Sequence, residues 1–340
     1  MKKNILLASA AFAALTVPAY AQDTTTPPQE EAAALEDGEI IVTATRREQQ
    51  LSDVPLAVSA VGAETLARSG ASDIRQLNQL SPSLLVSSTS SEAAGGGARI
   101  RGIGTVGDNP GLESSVATFV DGVYRNRAGV GLTELGAIDR IEVLRGPQGT
   151  LFGRNASAGL IHVITAKPES ELGGVLEASY GNYDALRLVG GITGPVTDTV
   201  SARLDGIYSK RDGFLTDVVS GRTVNGRDRY MLRGQIMFEP SSDLSFRLIA
   251  DYSDRNEECC AATYYPASLV TAGAGGTINR SASPIAAVLR GLGGIINDSP
   301  FVRNTSITPG QSYRGDVRDW GVSGELNYDL GGAKLTSITA

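Results

Sequence analysis

Histidine and cysteine are nearly absent from this 340-residue chain, which contains one His and two Cys. The histidine is His162, and the cysteines are the adjacent pair Cys259 and Cys260. Zinc-type sites need several His or Cys ligands, and a serine-type triad needs a histidine. The composition therefore excludes most such metal sites and any triad that does not use His162. Adjacent cysteines can close only a strained ring, so bonding to another chain or two free thiols are both open.

Long apolar runs and excess positive charge are lacking as well. The one extended apolar run lies within residues 1–21, after two lysines and before an Ala-Tyr-Ala sequence. This order predicts a secretory signal peptide, cleaved before Gln22. No later run reaches the roughly 18 apolar residues of a membrane-spanning helix. The net charge of −7 gives no indication of nucleic-acid binding.

A polar, acidic and Pro-containing stretch, residues 22–38, comes next, and we expect it to be a disordered leader. A short β-prone run follows, made of Glu39, Ile40, Ile41, Val42, Thr43 and Ala44. By pattern alone, the ordinary first strand of a domain is the favoured interpretation. The alternative is a tethered strand that a partner protein captures by β-augmentation, in which backbone hydrogen bonds supply the affinity.

Residues 47–170 predict a small mixed domain of short strands and helices. Within it, residues 139–168 contain closely spaced glycines and prolines, which mark turns between two apolar strands. The predicted strands are 54–59, 98–103, 116–120, 141–144 and 160–165, and the predicted helices are 63–68 and 73–80. Gly-rich and Ser-rich segments between them are suited to exposed loops.

From residue 171 onward the pattern changes to long two-residue alternation. In residues 229–239, apolar side chains alternate with mainly polar ones, and residues 244–253 and 320–329 repeat this. About seven such strands are present, each near the ten residues that a tilted membrane-spanning strand needs. A soluble β-sandwich also alternates. Strand length, aromatic residues near the ends of the apolar faces, and tight turns opposed to long loops favour the membrane.

Sequences with catalytic spacing do not withstand inspection. Residues 102–107 match G-x-G-x-x-G, but a turn sequence follows where a nucleotide site requires a helix, so the match is a coincidence. Alternation places His162 on the face opposite Ile161 and Val163, which favours a structural histidine over a ligand or base. Paired carboxylates, a nucleophile elbow and metal-ligand spacing are all lacking. We predict no catalytic site, no metal and no cofactor, hence no enzyme.

Several segments, in order, resemble the TonB-dependent outer-membrane receptors. Residues 39–46 resemble the TonB box, residues 98–103 the first arginine motif of the plug, residues 119–124 its central strand, and residues 141–168 its end. The resemblance implies an α+β plug domain followed by an antiparallel transmembrane β-barrel, incomplete, with about seven strands present. The implied division is 1–21 signal peptide, 22–38 leader, 39–46 box, 47–170 plug and 171–340 first part of the barrel.

The resemblance also implies a function. A receptor in the Gram-negative outer membrane would take up an iron chelate or another scarce solute, driven by the TonB energy-transducing protein. That protein would bind Glu39, Ile40, Ile41, Val42, Thr43 and Ala44, which reverses the interpretation of this run from pattern alone. The alternative is a non-transporting secreted binding or adhesion module with a plug-like domain.

Two sets of site residues follow from the resemblance. Arg101 and Arg145 are expected to anchor the plug through acidic partners in the barrel wall. Tyr124, Arg125 and Arg127 are expected to contact the ligand. A plugged barrel of this family has about 22 strands, and the chain stops within an alternating segment. We therefore expect a truncated sequence, which would not transport by itself.

Overall fold

The computed structural model describes most of the chain after Glu39, in one compact unit, Ile40–Ala340. The described residues are 40–70, 74–87, 97–105, 113–126, 134, 136–258, 261–263, 268–272, 278–282, 284–296, 301–308, 310 and 312–340. The predicted signal peptide, the leader, Glu39, Cys259 and Cys260 lie outside them.

The first part of the unit is a small domain built on a five-stranded sheet. Its strands are β1 (Ile41–Val42), β2 (Gln49–Gln50), β3 (Val58–Gly62), β4 (Leu84–Ser87), β5 (Gly97–Ile100), β6 (Val116–Val120), β7 (Val123–Arg125), β8 (Ile138–Arg145) and β9 (Gly159–Thr165). Its helices are α1 (Ala63–Ser69) and α2 (Gly149–Phe152), with 3-10 turns at Leu51–Asp53 and Ile74–Gln79. The small sheet has the order β3-β8-β9-β6-β7, and only the β9–β6 pair is parallel.

The small sheet separates two apolar clusters, because successive side chains of a strand point to opposite faces. In the central strand β9, Ile161 and Val163 join the first cluster, with the 3-10 turn at Ile74–Gln79. Leu160 joins the second cluster, with Phe119 and Phe152. All seven residues of β9 are buried. This agrees with the alternation predicted for residues 160–165.

A two-residue turn, Asp121–Gly122, joins β6 to β7. Its residues have φ of 47° and 78°, the left-handed conformation that a tight hairpin connection requires at both positions. Asp-Gly is a favoured pair for such a turn, because aspartate tolerates this region and glycine has no Cβ to clash. The turn directs β7 back along the edge of the small sheet.

A seven-stranded antiparallel sheet, called the long sheet here, makes up most of the remainder. Its strands are β10 (Gly173–Gly181), β11 (Ala185–Thr197), β12 (Val200–Arg211), β15 (Arg227–Ser241), β16 (Leu244–Glu258), β20 (Arg314–Asp329) and β21 (Lys334–Thr339), in that order. The loops between them carry β13 (Leu215–Asp217), β14 (Thr223–Val224), β17 (Ser268–Ala272), β18 (Ile278–Ala282), α3 (Pro284–Gly291) and β19 (Asn304–Thr305). Seven long strands are thus confirmed.

The long sheet has inverted polarity. On β15, Arg229 and Gln235 face the small domain and are buried, whereas Leu232 and Ile236 on the opposite face are exposed. The same exposed apolar face continues on neighbouring strands at Leu204, Phe246, Leu248, Trp320 and Val322. Apolar residues dominate the outward face, whereas the inward face is mainly polar and charged, with Ile207, Met231, Met237 and Ile249 buried among those groups.

Some local expectations were wrong. The predicted strand 54–59 begins only at Val58 and runs to Gly62. The strand predicted at 98–103 ends at Ile100, because Arg101 and Gly102 turn the chain with positive φ. β11 runs to Thr197 with a bulge near Pro195, so only Asp198 and Thr199 separate it from β12.

Among the described residues, no helix has the length and apolarity needed to cross a membrane.

Gly159, the first residue of β9, tests the packing of the small domain. Its φ is +140°, and a Cβ there would lie 2.2 Å from the Leu144 carbonyl oxygen and 2.7 Å from Ile100 Cδ1. We expect Gly159→Ala to lower the free energy of unfolding by roughly 3 kcal/mol, from backbone strain and overpacking together. Urea unfolding followed by circular dichroism measures this. The matched control is Gly149→Ala, where a Cβ meets nothing within 4 Å; equal losses in the two variants would contradict the prediction.

Candidate functional site

The described part of the predicted box, residues 40–46, is called the box segment here, and it is docked on the small domain. Its strand β1 pairs antiparallel with β2, with Ile41 opposite Gln50 and Val42 opposite Gln49. The Leu51 amide donates to the Ile40 carbonyl oxygen at 2.8 Å. One edge of β1, the strand that a partner protein is predicted to capture, is therefore already paired with β2 of the same chain.

Apolar contacts hold the box segment against the second cluster. Val42 and Ala44 have no exposed surface, and both pack in this cluster with Phe119 and Phe152. The Arg46 guanidinium lies 4.2 Å from the Phe152 ring centroid, a cation–π contact. Alternation explains the pattern, because Val42 and Ala44 point to the same side of an extended segment.

Thr43, between these two apolar residues, makes the polar contacts of the docked segment. Its amide donates to Glu142 Oε1 at 2.8 Å, and its hydroxyl lies 3.2 Å from the same oxygen. Glu142 is fully buried in β8 and also accepts from Arg140 Nε at 2.9 Å. A buried carboxylate requires such partners, because an unpaired one would be strongly unfavourable. The box segment thus supplies part of the neutralising environment of Glu142.

His162 lies on the other side of Thr43. Its Nε2 accepts a hydrogen bond from the Gly122 amide at 3.0 Å, which assigns the ring proton to Nδ1. Nδ1 is 3.4 Å from Thr43 Oγ1 and 3.9 Å from Glu142 Oε2. Burial lowers the pKa of His162 from 6.5 to about 4, against an opposing effect of Asp121. The ring is therefore neutral near pH 7 and joins Gly122 to Thr43.

Asp121, in the same turn as Gly122, connects the small domain to the long sheet. Its carboxylate accepts from the Thr165 amide at 3.0 Å and from the Thr165 hydroxyl at 2.8 Å. Arg247, on β16, places Nη1 3.4 Å from Asp121 Oδ1 and Nη2 2.6 Å from Thr165 Oγ1. Arg247 is 3% exposed and also donates to Gln235 Oε1. These contacts form a buried polar link between the two sheets.

Further ion pairs join the small domain to the long sheet, and either side can supply the arginine. Arg125, on β7, donates to Asp251 at 2.9 Å. In the opposite direction, Glu134 of the small domain lies 3.2 Å from Arg229 Nη1 and 3.9 Å from Arg187 Nε. Arg125, Glu134 and Asp251 also line a cavity of about 40 Å³, together with apolar residues that include Ile138 and Met231.

The predicted anchors Arg101 and Arg145 take other positions. Arg145 donates to the carbonyl oxygens of Ala57 and Val58, at 3.3 and 3.4 Å, within the small domain. Arg101 is exposed, in the turn after β5. Their role as anchors to the barrel wall stays a prediction, while the ion pairs described above belong to other residues.

The predicted ligand contacts are only partly described. Tyr124 is half-buried, and its hydroxyl accepts from Asn155 Nδ2 at 2.8 Å. Arg125 is paired with Asp251. Arg127 lies outside the described residues. Contact of these three with a ligand stays a prediction.

Glu142 and Arg247 were missed by reasoning from the sequence. A signal existed for each. Glu142 interrupts the apolar run of Ile141 and Val143, and Arg247 occupies the inward-facing phase of an alternating strand. Both are charges at positions that the pattern marks as buried, where a partner is required.

Comparison with known proteins gives one family match. Residues 50–160 match the model of the "TonB-dependent Receptor Plug Domain". This range covers the small domain from the end of β2 to the start of β9.

Curated relatives match over part of their length. The chain is 31% identical over 147 residues to a vitamin B12 transporter of Vibrio vulnificus, covering 42% of this chain and 23% of that protein. It is 29% identical over 206 residues to a ferric enterobactin receptor of Pseudomonas aeruginosa, covering 55% and 27%. The chain thus spans about a quarter of the length of these relatives.

Solved structures share the fold. The ferric yersiniabactin uptake receptor of Yersinia pestis superposes with a TM-score of 0.65 at 19% identity, covering 81% of this chain and 38% of that one. The ferripyoverdine receptor of the Pseudomonas aeruginosa outer membrane gives 0.63 at 19% identity, covering 89% and 36%.

Arg247 tests the link between the two sheets. Arg247→Met keeps the stem of the side chain but leaves Asp121, Thr165 and Gln235 without their cationic donor. We expect a loss of about 3–5 kcal/mol in the free energy of unfolding, as for removal of one partner from a buried ion pair. Urea unfolding is the measurement.

The control for this prediction is Arg314→Met. Arg314 pairs with Asp316 at the exposed start of β20, with 66% of its side chain accessible, so the loss should stay below about 1 kcal/mol. Similar losses in both variants would show that the buried contacts of Arg247 are not stabilising.

Proposed function

We propose that the chain is a TonB-dependent receptor with an outer-membrane uptake function, because residues 50–160 match the plug domain of that family, as the motifs predict. The receptor takes up an iron chelate or another scarce solute by transport coupled to the TonB protein. The small domain is the plug, and the long sheet is a section of barrel wall.

The observation that carries this proposal is the inverted polarity of the long sheet. Its outward face exposes Leu204, Leu232, Phe246 and Trp320 on four neighbouring strands, over a sheet whose other face is polar. Water would disfavour an apolar face of this extent, whereas hydrocarbon stabilises it. Lipid is therefore the partner of this face.

The position of the box segment supports the same function. Glu48, just after it, lies 4.0 Å from Lys334, the first residue of β21. Lys334 follows the short turn after β20. In outer-membrane barrels the short turns are periplasmic, so the box segment is at the periplasmic end. There a TonB protein anchored in the inner membrane would capture Glu39, Ile40, Ile41, Val42, Thr43 and Ala44 by strand pairing.

The cargo class is inferred from the relatives, which are named for vitamin B12, ferric enterobactin and ferric yersiniabactin. We propose that Tyr124, Arg125 and Arg127 belong to the ligand-facing part of the plug. Arginine is suited to anionic chelates because its guanidinium binds carboxylate oxygens in pairs. Growth of a receptor-deletion strain on a panel of iron chelates and oligosaccharides as limiting nutrients would narrow the range of candidate ligands.

The membrane assignment is tested at Leu232, near the middle of β15 and 52% exposed. We expect Leu232→Lys to destabilise the protein in the outer membrane by about 2–4 kcal/mol, because a lysine would face hydrocarbon near the bilayer midplane. The amount of folded receptor in outer-membrane fractions, measured by heat-modifiable gel mobility, reports this.

Glu239→Lys, at the exposed end of the same strand, is the matched control and should leave assembly near wild type. The rival function, a secreted binding or adhesion module, makes the opposite prediction. In that case Leu232→Lys changes stability by less than about 0.5 kcal/mol, and the full-length protein stays soluble and monomeric without detergent.

The box assignment is tested at Val42. Val42→Pro removes a backbone N–H and fixes φ, so pairing with a partner strand is lost. We expect uptake of the limiting nutrient to be abolished while ligand binding to isolated outer membranes is retained. Ile41→Thr, which keeps the N–H and changes a 40% exposed side chain, should lose far less uptake than Val42→Pro, because strand pairing uses the backbone. Wild-type uptake by Val42→Pro would eliminate the assignment.

A further inference from the structure

His162, the single histidine of the chain, lies between two segments that the proposed function places at different steps of transport. We propose that His162 is a positioning residue that couples the Asp121–Gly122 turn to the docking of the box segment. This inference rests on the proposed function of the box and adds a route by which its release is controlled.

The first support is geometric. One rigid imidazole ring makes both contacts, accepting from the Gly122 amide at Nε2 and facing Thr43 Oγ1 from Nδ1. The ring cannot shift toward one partner without leaving the other. Displacement of the turn therefore removes a contact of Thr43, whose remaining polar partner is Glu142.

The second support is the connection of the turn to the ligand-facing side. β7 begins at Val123, directly after Gly122, and contains Tyr124 and Arg125. Arg125 is held by Asp251 of the long sheet. A change at this ion pair can reach the polar contacts of the box segment through the turn and the histidine ring, beside the apolar contact of Tyr124 with Phe119.

The third support is the electrostatic setting of the ring. The charged groups that face His162 are Glu142 and Arg140 from β8, Asp121 from the turn, and Arg46 after the box segment. Protonation of Nε2 would place an N–H opposite the Gly122 N–H, so the turn contact requires the neutral ring. Burial keeps the ring neutral by lowering its pKa to about 4.

The sign of the pH dependence follows from linkage. The docked state holds the pKa of His162 at about 4, and the undocked state lets it rise toward 6.5. The undocked state therefore binds more protons between these values, and docking weakens as pH falls from about 6.5 to about 4. One proton limits the effect to about tenfold per pH unit. Above pH 6.5 docking does not change with pH.

Two variants separate the contacts of the ring. In His162→Asn the side-chain amide reaches the place of Nδ1, so the Thr43 contact can persist while the turn contact is lost. In His162→Gln the amide reaches the place of Nε2, so the turn contact can persist. Neither side chain titrates.

The test uses the purified full-length receptor in detergent, without ligand or TonB. Hydrogen exchange of the peptide 40–50 is measured by mass spectrometry from pH 4 to 8, and each rate is divided by the intrinsic chemical rate at that pH. Protection in the wild type should fall by up to about tenfold per pH unit below pH 6.5. It should be independent of pH in both histidine variants. Flat wild-type protection, or a slope that persists in His162→Gln and disappears in Glu142→Gln, would overturn the proposal.

A double-mutant cycle tests the coupling itself. Arg125→Gln releases β7 from Asp251 and should lower protection of the peptide at least about threefold in the wild-type background. In the His162→Asn background its effect should be clearly smaller, because the polar route between the turn and the box segment is already broken. Equal effects in the two backgrounds would overturn the coupling. Because TonB capture and uptake are not measured here, failure of the coupling leaves the proposed function standing, and failure of TonB capture leaves the coupling measurable.

Discussion

The buried polar face of the long sheet is the constraint on which the rest of the structure depends. Arg229 and Arg247 are each 3% exposed, and a buried guanidinium without a carboxylate costs several kcal/mol. The plug supplies Glu134 and Asp121 to these two residues. The wall adds Glu257 to Arg229 and Glu325 to Arg247. Plug and wall together thus supply the counter-charge that makes an inward-polar wall stable.

An interface of this kind differs physically from the core of either part. Within the plug, apolar side chains are packed on both faces of β9, and rearranging them would open cavities. Between plug and wall, hydrogen bonds and ion pairs border a cavity with a mixed polar and apolar lining. Water can replace such contacts at little net cost, since a typical hydrogen bond contributes only about 1 kcal/mol. Movement of the plug at the wall is therefore easier than deformation of the plug itself.

The sequence predicted what depends on local pattern. Alternation along residues 229–239 gave β15 and its two faces, and the same rule placed His162 opposite Ile161. The local pattern did not predict contacts between residues that are far apart in the chain. Arg247 and Asp121 are 126 positions apart, and Thr43 and Glu142 are 99 apart. A pattern marks a charge as buried without identifying its partner, so the pattern alone does not distinguish Arg145, which binds within the small domain, from Arg247, which binds across the interface.

The docked box segment is held by a small set of contacts. Burial of Val42 and Ala44 contributes about 2–4 kcal/mol, and the hydrogen bonds of Thr43 add about 1 kcal/mol each. Loss of Arg247 alone would remove about as much from the link between plug and wall. A partner strand that replaces β2 offers equivalent backbone hydrogen bonds to the box segment, so exchange is nearly balanced. Capture of the segment would thus precede any displacement of the plug. The contact of His162 with Thr43 contributes to the stability of the docked segment and so shifts the equilibrium between the docked and the captured segment.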